Sequence, residues 1–130
     1  QFIGSPMYAS PETIQSKDIS ITSDIYGIGA VLYEVLTGIP MIRGGSFHES
    51  VRLAVKGGHT KPSSQAPENG IPTIADELWE QCTQIDPGKR PQETQTVANG
   101  LRRIAKEMRG HASTAVAVTA PSQDCEYACV

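Results

Sequence analysis

Cysteine is scarce in this sequence, long apolar runs are missing, and positive charge is not in excess. The three cysteines, Cys82, Cys125 and Cys129, are too few and too unevenly placed for a disulfide framework, which points to a reducing, cytoplasmic setting. The most apolar stretch, residues 25–36, is short and carries Glu34, so it reads as a buried helix and excludes a membrane span. With 11 Lys and Arg against 14 Asp and Glu, the net charge is -3. No basic field is therefore available to draw in nucleic acid or an anionic membrane by counterion release. Nothing after Gln1 pairs a charged segment with an apolar one, so no signal peptide is read. Gln1 in place of Met suggests a chain cut from something longer. Aromatics make up 5% of the 130 residues and 38% are hydrophobic, which suits one ordinary domain and one core.

What is present is helical punctuation. Ser10-Pro11-Glu12 opens a first short helix, with Ser as cap, Pro preorganised and Glu at the positive end of the dipole. Thr22-Ser23-Asp24 opens a second, carrying Ile25, Ile28, Val31, Leu32, Val35 and Leu36 to a stop at Gly38 and Pro40. Its apolar positions cover more than one face, so burial nearly all round is expected. Ser46 with Glu49 forms a capping box for an amphipathic third helix that ends at Gly57-Gly58. Residues 58–72 are rich in Pro, Ser, Asn and Gly and read as loop. A fourth helix carries Ile74, Leu78, Cys82 and Ile85 on one stripe, up to the Asp86-Pro87-Gly88 turn. The last carries Val97, Leu101, Ile104 and Met108, with Arg102, Arg103 and Lys106 outside, and is expected to close at Gly110. Residues 110–130 lack helical spacing and read as a disordered tail. The ordered part is thus expected to be all-α.

Three segments in fixed order exceed generic punctuation: Gly4-Ser5-Pro6-Met7-Tyr8-Ala9-Ser10-Pro11-Glu12, Ser23-Asp24-Ile25-Tyr26-Gly27-Ile28-Gly29, and Asp86-Pro87-Gly88-Lys89-Arg90-Pro91. Together they resemble the C-terminal lobe of a Hanks-type serine/threonine protein kinase: the end of the activation segment, the start of the central helix and the D-P-x-x-R-P turn. The resemblance covers residues 1–109 as a partial kinase C-lobe, of a fold that in the whole family is α+β with two lobes. It implies a parent enzyme that transfers the γ-phosphate of ATP to protein Ser or Thr hydroxyls with Mg²⁺.

Residue by residue, the resemblance implies a substrate-side wall formed by Gly4, Ser5, Pro6, Met7 and Tyr8, with the Ser5 hydroxyl supporting the catalytic Asp and Lys of the parent. It pairs Glu12 with Arg90 as a structural bond and gives Asp24 the task of accepting backbone N–H groups of the catalytic loop. By sequence alone Ser5 is a loop serine and Asp24 a first-turn acid suited to the dipole. No catalytic residue proper is in the chain. It has no H-R-D-x-x-x-x-N, no D-F-G and no G-x-G-x-x-G, since Gly27-Ile28-Gly29 is followed by Ala30, Val31 and Leu32 and sits in an apolar helix pattern. The chain is therefore expected to bind no ATP and no metal and to be inactive alone, with ATP and Mg²⁺ belonging to the complete kinase. Expected partners are a protein substrate and the kinase N-lobe and catalytic-loop segments. Without those segments the central helix would be bare and the chain molten or aggregating. The rival reading is a non-catalytic helical interaction module. His48, His59 and His111 are scattered and expected to be solvated, Cys82 to be inert core, and Trp79 to pack.

Overall fold

The structure is a computed structural model and describes residues 5–118, with side-chain environments for residues 5–112. Among these residues there is helix and no strand. Six α-helices follow one another: α1 (Pro11–Ile14), α2 (Ile21–Thr37), α3 (Phe47–Lys56), α4 (Pro62–Gln65), α5 (Thr73–Cys82) and α6 (Thr94–Val118), with 3₁₀ turns at Pro67–Asn69 and Pro87–Lys89. The core is a stack in which α2 packs on α5, α5 packs on α6, and α4 closes against α2 and α5. Ile25, Tyr26, Ile42, Cys82 and Val97 are fully enclosed there.

Local chemistry explains most boundaries. Ser10 Oγ accepts the Thr13 N–H at 3.3 Å and starts α1. α2 begins two residues ahead of Ser23, whose hydroxyl becomes the reciprocal cap by accepting the Ser20 N–H at 3.2 Å. It ends at Gly38, where φ is 77° and the N–H reaches Glu34 O at 2.8 Å, a left-handed cap that glycine adopts without a Cβ penalty. Ser46 Oγ accepts the Glu49 N–H at 3.2 Å, while Glu49 reaches past the cap to the Gly45 N–H at 2.9 Å. Trp79 lies beside Tyr33 with ring centroids 5.6 Å apart, and its Nε1–H donates to Met41 Sδ at 3.2 Å.

Four expectations need correction. The segment 58–72 is not loop throughout: α4 forms in it because Pro62 sits at the first helical position and because Asp76, from α5, accepts both the backbone N–H and the hydroxyl of Ser63. Ile85 does not extend the α5 stripe; the helix stops at Cys82, and Ile85 is 41% exposed. α6 does not close at Gly110 but runs to Val118, since a helical glycine costs only about 1 kcal/mol and no breaker follows it closely. Residues 111–118 of the expected tail are thus helical, while the tail from 119 on lies outside the described residues. Finally, α2 is not buried all round. Ile21, Ile28, Val31 and Val35 share one face and are exposed, Val35 by 75%. The described elements enclose only the opposite side, with α4, α5 and α6 arrayed there.

Candidate functional site

α1 and the loop ahead of it are anchored at two points. Glu12 is the second residue of α1 and is buried; Arg90 follows the 3₁₀ turn and is also buried. The structure brings them together in a bidentate pair, Nη1–H to Oε1 at 2.6 Å and Nη2–H to Oε2 at 2.9 Å. Arg90 spends its remaining donors on carbonyls: Thr22 O at 2.8 Å, Gln84 O at 2.7 Å and Ile85 O at 3.2 Å. All the N–H groups of the guanidinium are therefore matched, the condition under which a buried cation is tolerated. Its face lies over the Tyr26 ring, 5.1 Å from the centroid. Ser23 completes the cluster, its hydroxyl donating to Glu12 Oε1 at 2.7 Å.

Burial pushes the Glu12 carboxyl up, but the hydrogen bonds from Arg90 and Ser23 outweigh it and hold the group down at about 2. It is a permanent anion at neutral pH and no general base. Burial pushes the Tyr26 hydroxyl up to about 12 and the Cys82 thiol up to about 11, so neither is reactive near neutrality. The cluster is a joint, fixing α1, the start of α2 and the Asp86–Pro91 turn in one frame.

The second anchor is Tyr8. Its hydroxyl donates to Glu34 Oε2, in the last turn of α2, and this bond leads the causes that raise the phenol above its ordinary value. A Cβ on Gly27 would lie 3.4 Å from Tyr8 O, so the loop runs close over the helix where glycine leaves room. Within that loop Pro6 is buried, Met7 is half-buried, and Ser5 is exposed with its Oγ accepting the Met7 N–H at 3.5 Å. Gly4 lies outside the described residues. Asp24 is exposed on the same α2 face as Ile28 and Val31, and its carboxylate has no hydrogen-bond partner among the described residues.

A model of the protein kinase domain matches residues 1–101. The chain belongs to the protein kinase domain family. Serine/threonine-protein kinase PkaA of Streptomyces coelicolor is 33% identical over 118 residues, covering 88% of this chain and 20% of that protein. Serine/threonine-protein kinase A of Synechocystis is 30% identical over 113 residues, or 83% of this chain and 20% of that protein. Serine/threonine-protein kinase PknB of Mycobacterium tuberculosis is 48% identical over a shorter stretch of 44 residues. The chain thus spans about a fifth of the length of the first two relatives.

The family uses ATP and Mg²⁺, and two observations among the described residues of this chain bear on that pair. No three of their His, Cys, Asp or Glu side chains are grouped to hold a metal ion. Gly29, the second glycine of the G-x-G in α2, is packed against Cys82 and Thr83 rather than open to a phosphate. Nor is any described helix long and apolar enough to cross a membrane.

Sequence reasoning missed three members of this arrangement. Glu34 was visible only as a charge inside an apolar stretch, and Ser23 only as a capping residue. Tyr26 carried no signal for its stacking on Arg90. One singleton is also corrected: His59 is not solvated but half-buried, with Nε2 enclosed and without a hydrogen-bond partner among the described residues, and its basicity is lowered by burial.

Proposed function

We propose that this chain is the substrate-side part of a serine/threonine protein kinase that phosphorylates protein Ser or Thr hydroxyls using ATP and Mg²⁺. It contributes the wall at residues 4–8 and the helical frame beneath it, and is inactive without the segments that hold nucleotide and metal. The observation that carries the reading is the buried Glu12–Arg90 pair: it fixes α1, at the base of residues 5–8, to the start of α2 and the Asp86–Pro91 turn, as a wall receiving a peptide must be fixed. Ser5, exposed at the head of the loop, is the supporting hydroxyl. The bare α2 face, with Asp24 among aliphatic residues, is covered in this reading by the catalytic-loop segments of the kinase, whose backbone N–H groups Asp24 accepts. A cytoplasmic setting belongs to the same reading and is supported by the free, buried Cys82.

Tyr8→Phe tests the loop assignment in the intact protein. Removing the hydroxyl bonded to Glu34 should raise KM for a protein substrate several-fold and leave KM for ATP unchanged. A rise confined to KM for ATP, or no change in either constant, contradicts the assignment.

A further inference from the structure

One hollow among the described residues has no part in the kinase reading. It lies between the start of α5 and the second half of α6, has a volume of about 630 Å³, and is lined by Ile74, Arg103, Lys106, Glu107, Gly110 and His111. A second hollow of about 300 Å³ shares Ile74 and Arg103 with it and extends along the same helix pair past Leu78 and Asn99. Together they form an elongated groove, suited to an extended chain rather than to a compact anion.

Its charge is uneven. The kinase-domain match ends at residue 101, yet α6 continues to Val118, and across residues 102–109 Arg102, Arg103, Lys106 and Arg109 face a single carboxylate, Glu107. This concentration stands out in a chain of net charge -3. Arg103 and Lys106 are exposed and have neither an ion pair nor a hydrogen bond among the described residues, whereas Arg102 and Arg109 are held by Asn99 and the Ala105 carbonyl. The unpaired cations thus line the groove, with the carboxylates of Glu107 in the first hollow and Glu77 in the second. Ile74 and Leu78 supply apolar surface along its length, and Glu77 lies in the second hollow, away from Lys106.

We propose that this groove docks an acidic peptide segment of a partner protein. Its carboxylates lie over Arg103 and Lys106, and its uncharged, aliphatic end runs past Leu78, where Glu77 repels a further anion. Opposite charges steer such encounters and set the register, while the apolar floor supplies contact area.

The test uses the intact protein and a fluorescein-labelled hexapeptide of four glutamates followed by two leucines, read by anisotropy. Saturable binding is expected, weakened at least about ten-fold when glutamines replace the glutamates and in the double variant Arg103→Glu/Lys106→Glu. The control Arg43→Glu/Arg52→Glu, at exposed cations on other elements, should bind the peptide like the parent. Equal binding of the glutamine peptide overturns the proposal, as does an equal loss in both double variants. Binding to phosphatidylglycerol vesicles with none to the peptide overturns it too, assigning Arg103 and Lys106 to a lipid surface. Because Arg103 and Lys106 are exposed, helicity by circular dichroism should be unchanged in the variant.

Discussion

At the scale of single residues, Arg90 is the most consequential side chain in the molecule. Replacing it with Ala leaves Glu12 as a buried, unpaired anion, and should destabilise the intact protein by about 3–5 kcal/mol in denaturant unfolding. Arg90→Lys should recover only part of this, since an ammonium cannot serve both carboxylate oxygens and the carbonyls of Thr22, Gln84 and Ile85 from one planar fork. The pair also sets an acid limit. A carboxyl at about 2 in the folded chain, against an ordinary 4.5, binds its proton more readily when unfolded. Its contribution is complete above 4.5 and is lost as pH falls towards about 2. Unfolding free energy measured across that window should fall with acidification, and the slope should flatten in Arg90→Ala. The partnership of Glu12 and Arg90 was legible because both ends sit in motifs with fixed neighbours. The hydroxyl of Ser23 and the ring of Tyr26 were not, because nothing in a linear pattern says which side chains face each other across a helix start.

At the scale of elements, the stops were more legible than the spans. Gly38 and Gly57 end α2 and α3 where the text places them, because a left-handed or otherwise positive φ is a local demand that glycine answers locally. α4 was illegible because its stability comes from Asp76, a residue of another helix, and α6 was underestimated because a lone glycine is a weak stop. The two glycines of Gly27-Ile28-Gly29 separate cleanly. A Cβ on Gly29 would lie 2.7 Å from Thr83 Cγ2 and 2.8 Å from Cys82 Cβ, inside the α2–α5 contact. Gly29→Ala should therefore destabilise by about 1–3 kcal/mol despite alanine's better helix propensity. At Gly27 the nearest atom would be 3.4 Å away, and Gly27→Ala should stay within about 1 kcal/mol of the parent. Thermal melts of the two variants side by side check the contrast.

At the scale of the whole molecule, the exposed face of α2 decides how the chain behaves alone. A stripe of Ile28, Val31 and Val35 beside Asp24 is an apolar surface of the kind that meets a partner. The purified 130-residue chain should bind ANS and self-associate, and Ile28→Gln/Val31→Gln should lower both. A monomer that melts sharply without binding ANS contradicts this. The sequence pattern showed that α2 is apolar on more than one side, but not which side the described elements leave bare, because that depends on where α4, α5 and α6 settle.

The central claim is that these residues frame a kinase substrate site but do not transfer phosphate themselves. The direct measurement compares the purified chain with the native full-length polypeptide, each incubated with γ-labelled ATP, Mg²⁺ and a generic Ser/Thr-containing protein substrate. Label on Ser and Thr from the native polypeptide, with none from the chain and no saturable ATP binding to it, is the predicted result. Transfer or micromolar ATP binding by the chain alone would contradict the account, and so would a native polypeptide that transfers nothing, which would mark the domain as a non-catalytic interaction module.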